Sequence, residues 1–137
     1  AMALAVDKHC YMIDAKQAHC KKLKLAFMEE MRKDFDADNY MIVSPANSLH
    51  SITCICFKNV EGEIIQSMLN DKGIYVATGA ACNSGDMNAS AALAFMRIPE
   101  DYIRGEIRLS YTLDNTIEEM IQTAKALKSV YKDLTNF

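Results

Sequence analysis

Residues 6–35 carry one apolar stripe at helical spacing: Val6, Cys10, Ile13, Cys20, Leu23, Phe27, Met31 and Phe35. Lys21, Lys22 and Lys24 take the other faces. The pattern predicts a single helix of roughly 30 residues, about 45 Å at 1.5 Å per residue. The whole chain has 137 residues, which fits one domain. A helix that long in a domain that small implies a stripe that leans on something further.

The remainder reads as short alternating elements. DFDADN breaks the helix. YMIVSP is a short strand stopped by Pro45, and SITCICFKN a second strand. EGEIIQSMLNDKG is a helix with Ile64, Ile65, Met68 and Leu69 on one side and Gly73 as its stop. IYVAT is a third strand. NASAALAFM opens a helix with Asn88 as N-cap, and Pro99 suits the first turn of another ending near Ile103. GEIRLSY alternates strictly, with Ile107 and Leu109 on one face and Glu106, Arg108 and Ser110 on the other. In NTIEEM, Thr116 and Glu119 form a capping box for a last helix carrying Ile117, Met120, Ile121, Ala124, Leu127, Tyr131 and Leu134. The expected architecture is a single α+β domain: about four short strands covered by about three main helices.

Composition narrows the function classes. Net charge is −3 with interspersed signs, so there is no basic footprint for nucleic acid. No apolar run approaches a membrane span, and AMALAVDKHC lacks the pattern of a secretory signal. The five cysteines suggest no disulfide framework, and a reducing cytoplasm is the expected compartment.

Four groups of residues invite chemistry. His9–Cys10 and His19–Cys20 are ten positions apart, about 15 Å along a helix and about 80° around it. One zinc needs its ligands within about 2.3 Å, so no metal is expected there, and Cys10 and Cys20 read as small apolar residues of the buried stripe. Cys54 and Cys56 face the same way on a strand. They offer two metal ligands, but no second CxxC or His pair completes a set, so they read as buried strand cysteines. Arg108 is either a solvated charge near Glu106 or a planar fork for a carboxylate. Cys82 sits among Gly, Ala, Ser, Thr and Asn, with no Lys or Arg between residues 73 and 96. It is either a quiet loop cysteine or a nucleophile activated by groups from elsewhere. The residues alone leave both pairs of readings open.

Read as one unit, residues 73–120 closely resemble the C-terminal small domain of cysteine desulfurases of the NifS and IscS type. These belong to the class V aminotransferase group of pyridoxal-phosphate enzymes (fold type I). The likeness rests on the G-x-A-C loop, the Ser90 helix, the IRLS strand and the NTIEE helix start, in that order. FKNVEGEIIQSMLNDK is similar to the family's strand-to-helix segment, and the helix over 6–35 to its linker between large and small domains. The division implied is a linker helix at 6–35 and a small domain at 36–137.

The resemblance implies that Cys82 is the mobile-loop cysteine that takes sulfur from L-cysteine as a persulfide while L-alanine leaves. It implies that Arg108 binds the substrate carboxylate. Ala89 stands where the family has a proline, SYT where it has S-L-G, and Ser48 where it has an arginine. The family's iron–sulfur-scaffold docking tail has no counterpart before Phe137. The three histidines are followed by Cys, Cys and Ser, so the family's cofactor lysine next to a histidine is missing, as is the large domain around it. The expectation is an enzyme part that binds no pyridoxal phosphate and does not turn over alone. Its implied partners are that large domain, a sulfur-acceptor protein and, in the parent, a second subunit. The alternatives are a free-standing persulfide carrier or regulatory module, and a related enzyme such as a selenocysteine lyase.

Overall fold

A computed structural model describes residues 2–44, 48–79 and 91–136, the side chains of residues 5, 8, 9 and 91 excepted. The chain runs α1 (Met2–Tyr11), α2 (Ile13–Arg32), a 3-10 turn (Ala37–Asn39), β1 (Tyr40–Ile42), β2 (Ile52–Phe57), α3 (Gly62–Asn70), α4 (Ala91–Phe95), α5 (Glu100–Ile103), β3 (Gly105–Ser110) and α6 (Ile117–Thr135). The three strands form one antiparallel sheet in the order β1-β2-β3. Helices α2, α3 and α6 cover one face, where Cys20, Leu23, Phe27 and Met31 meet Ile55, Phe57, Ile107, Leu127 and Val130. Phe35, Tyr40, Phe57 and Tyr131 close that core with ring centroids 5.4–6.4 Å apart. The opposite face carries a smaller cluster in which Leu93 and Ile103 pack over Cys56. This is the expected α+β layer.

Sequence and structure differ at the N-terminal helix. It is two helices, with the backbone leaving helical geometry at Met12 (φ −108°, ψ 2°). Helix α2 buries its stripe from Cys20 to Met31, but Met2, Leu4 and Tyr11 are 82%, 73% and 86% exposed. Cys10, expected on the buried stripe, is exposed, whereas Cys20 is buried. The reason is the lack of a facing surface: nothing described covers these residues of α1. Ile64 and Ile117 are also outside the core, because α3 and α6 bury narrower stripes through Ile65 and Leu69 and through Met120, Ala124, Leu127 and Val130.

IYVAT is not a strand either. Only Ala77 pairs, as a single bridge to Arg108, so the described sheet has three strands. The strand at 105–110, the Pro99 turn and the Thr116–Glu119 capping box form as expected. Asn88 and Pro45 lie outside the described residues.

Two devices hold α2 and β3 in place. Lys128 on α6 donates to the carbonyls of Glu30 (2.7 Å) and Lys33 (3.0 Å) and to the Glu30 carboxylate (3.2 Å). It thereby caps the end of α2, where the Glu30 carbonyl also accepts the Lys33 N–H (3.2 Å). Glycines occupy the closest backbone approaches: a β-carbon on Gly62 would lie 2.5 Å from the Glu106 carbonyl oxygen, and one on Gly105 would overlap the Phe57 carbonyl.

Candidate functional site: the open face of the sheet

Alternation along β3 sends Ile107 and Leu109 into the core and Arg108 to the opposite, exposed face. The Arg108 N–H donates to the Ala77 carbonyl (2.7 Å), and the Ala77 N–H donates back to the Arg108 carbonyl (3.1 Å). Both backbone groups of Arg108 therefore point away from β2. Its register partner on β2, Cys54, faces it as a non-hydrogen-bonded pair, the closer kind for side chains. Arg108 is thus flanked by Cys54 on one side and by Ala77 on the other.

Glu106, two residues earlier on the same face, stands opposite Cys56. Cys54 Sγ donates to Glu106 Oε1 at 3.6 Å, and Glu106 Oε2 is buried without a hydrogen-bond partner among the described residues. The solvated-charge reading would pair Glu106 with Arg108. The structure directs Glu106 to Cys54 instead. The described ion pairs are Lys33–Glu30, Lys128–Glu30, Lys58–Asp101 and Arg104–Glu61, and Arg108 is in none of them. Its guanidinium fork, five N–H donors on an exposed face, has no acid among the described residues.

The described thiol opposite Arg108, Cys54, is held in its protonated form. The Cys54 thiol is pushed far up, first by the Cys56 thiol beside it, then by burial and by the Glu106 carboxylate. Burial also raises Cys20, whose Sγ points at the Tyr111 carbonyl (3.8 Å). Cys56 is 0% exposed, as expected of a strand cysteine, while Cys54 is only half-buried. A thiol held protonated attacks poorly.

Cys82 itself lies outside the described residues. Ala77 is five residues before it in the chain. The bridge to Arg108 is described at Ala77. Sequence reasoning missed this bridge because a lone pairing leaves no periodic signal. The Cys54–Glu106 contact was half legible: alternation put each residue on a face, but not on the same one.

His19 is accounted for structurally: its Nε2 hydrogen-bonds the Asn115 carbonyl (2.9 Å), clasping α2 to the start of α6. No lysine next to a histidine stands in this sequence to hold pyridoxal phosphate in the family's manner. The one lysine buried among the described residues, Lys24, donates to Ser48 Oγ (3.5 Å) from α2, on the face of the sheet opposite Arg108. No carboxylate pairs with it among the described residues, and burial lowers its pKa.

Comparison with known proteins places these observations. Residues 3–122 match the family described as aminotransferase class-V. Cysteine desulfurase IscS of Methanosarcina thermophila is 34% identical over 92 residues, which are 67% of this chain and 23% of that protein. Cysteine desulfurase IscS of Dictyoglomus turgidum is 28% identical over 133 residues, 97% of this chain and 34% of that protein. Among solved structures, a NifS-like protein from Rickettsia africae superposes on 94% of this chain and 32% of its own, with TM-score 0.77 and 22% identity. Another NifS-like protein covers 98% and 32%, with TM-score 0.74 and 24% identity. The chain thus spans about a quarter to a third of the relatives it matches. With its match extending from α1 into α6, the chain belongs to the aminotransferase class-V family.

Proposed function

We propose that this chain is the small-domain part of a cysteine desulfurase, with Cys82 as sulfur acceptor and Arg108 as the group that binds the carboxylate of L-cysteine. The observation that carries the reading is the Ala77–Arg108 bridge. It ties the segment leading to Cys82 to the strand that presents an arginine with no acid of its own among the described residues. The raised pKa of Cys54, the thiol opposite Arg108 in register, supports Cys82 over it as the acceptor.

In the overall reaction the Cys82 sulfur bonds to the substrate sulfur, and the substrate Cβ–S bond breaks. The carbon takes up a proton and leaves as L-alanine. Two sulfurs are oxidised to a persulfide while one carbon is reduced, so no outside oxidant is needed. Arg108 offers two parallel N–H donors to the substrate carboxylate, which fixes its orientation. Pyridoxal phosphate, held by a large domain outside this chain, supplies the electron sink. The exposed apolar residues of α1 suit packing against that domain. An acceptor protein, for iron–sulfur assembly or another use, then takes the persulfide sulfur, and the setting is the cytoplasm.

The test uses the gene product that carries this chain, incubated with L-cysteine and digested for mass spectrometry. The expected result is one added sulfur atom on the peptide containing Cys82, with alanine released in equal amount. Cys82→Ala should abolish the persulfide while leaving the cofactor's absorption unchanged. Undiminished alanine release by that variant would reject Cys82 as the acceptor.

A further inference from the structure

Sequence spacing placed Cys54 and Cys56 on one strand face without a third ligand; the fold supplies one from the neighbouring strand. Glu106 is the register partner of Cys56, and opposed residues in an antiparallel pair have β-carbons about 4.5–5.5 Å apart. Its Oε1 lies 3.6 Å from Cys54 Sγ. Zinc holds thiolate sulfur at about 2.3 Å and carboxylate oxygen at about 2.0–2.2 Å. At a tetrahedral angle those bond lengths separate sulfur from oxygen by about 3.6 Å. The Cys54–Glu106 pair therefore already has the spacing of two ligands on one ion. Glu106 Oε2 is buried and has no hydrogen-bond partner among the described residues, which costs free energy in a protein interior unless something meets it.

We propose that Cys54, Cys56 and Glu106 form a binding site for a thiophilic divalent cation of the zinc type, bridging β2 and β3. Two thiolates and a carboxylate favour a borderline-soft ion over magnesium or calcium. As the side chains stand, no three described His, Cys, Asp or Glu groups converge on a single point. Closure requires rotation of Cys56 or Glu106 about its side-chain bonds, with no change of strand register. Binding displaces the two thiol protons to solvent and leaves sulfur oxidation states unchanged. The fourth position falls to water or to a group outside the described residues. Arg108, opposite Cys54, is the nearest cation in register and marks the side from which an ion is repelled.

The test uses the full chain with Cys10, Cys20 and Cys82 each replaced by Ala, so that only Cys54 and Cys56 remain. Zinc is titrated in competition with a chromophoric chelator, and cadmium is used to read thiolate-to-metal charge-transfer absorption. The expected result is one ion per chain with the charge-transfer band present. Cys54→Ser should weaken binding by more than about 100-fold, beyond what loss of an outer-shell contact costs. Glu106→Gln, which keeps shape and removes the charge, should weaken it by about 10-fold or more. Circular dichroism checks that each variant is folded. Binding that is absent in the three-Ala chain, or unaltered by Glu106→Gln, would overturn the site. Neither outcome bears on persulfide formation at Cys82, which is read separately.

Discussion

Ala77 and Arg108 exchange both of their backbone hydrogen bonds, at 2.7 and 3.1 Å, although neither neighbour of Ala77 belongs to a strand. This single bridge is the described link between the segment leading to Cys82 and β3. Ala77→Pro removes the N–H donor and keeps a small side chain. One exposed edge bridge contributes about 1 kcal/mol, so the melting temperature should hardly move. If the bridge positions the Cys82 segment, persulfide formation in the gene product should fall by about 10-fold or more. An unchanged rate would show that the bridge is incidental.

Arg108 and Lys are not equivalent on this face, because a carboxylate takes two parallel N–H bonds from a guanidinium and one point charge from an ammonium. Charge-assisted hydrogen bonds contribute about 1.5–3 kcal/mol. Arg108→Lys should therefore lower kcat/KM for L-cysteine by roughly 10- to 150-fold, chiefly through KM, and Arg108→Ala by more. Steady-state alanine release measures both.

The Glu30 carboxyl is held below its ordinary value, first by the Lys33 hydrogen bond and then, against the opposing effect of burial, by Lys128. The Glu119 carboxyl is lowered by the Thr116 backbone N–H and by Asn115. A carboxyl with a lower pKa folded than unfolded stabilises fully above the unfolded value and loses that contribution as pH falls through the folded one. The urea midpoint should hold steady from pH 7 to above the ordinary carboxyl value of 4.5 and then decline. Glu30→Gln and Glu119→Gln together should flatten that decline more than either alone. A decline starting near neutrality would contradict the assignment.

Gly105 pairs with Phe57 in register, and a β-carbon there would overlap the Phe57 carbonyl oxygen. Strand β2 is held on its far edge by β1, where Phe57 pairs with Tyr40, and cannot retreat. Gly105→Ala should destabilise the fold by about 1–3 kcal/mol, lowering the melting temperature by roughly 4–12 °C. Thermal unfolding followed by circular dichroism measures it.

The sequence by itself determined every element whose signal is local. The alternation of residues 105–110 set which side of β3 is apolar, and Thr116 with Glu119 set the start of α6. Likewise, Cys20, Leu23, Phe27 and Met31 set the buried face of α2. Each is a short-range pattern that one strand or helix enforces on its own.

Tertiary structure decided what depends on a partner surface. The apolar stripe continues through Val6 and Cys10, yet those residues are exposed because nothing described packs over them. IYVAT has strand-forming residues but gains only one bridge. Register, not composition, set Glu106 beside Cys54 and left Arg108 without an acid among the described residues. Periodicity reports which face a residue takes; only the packed neighbour decides whether that face is buried, paired or left open for a ligand.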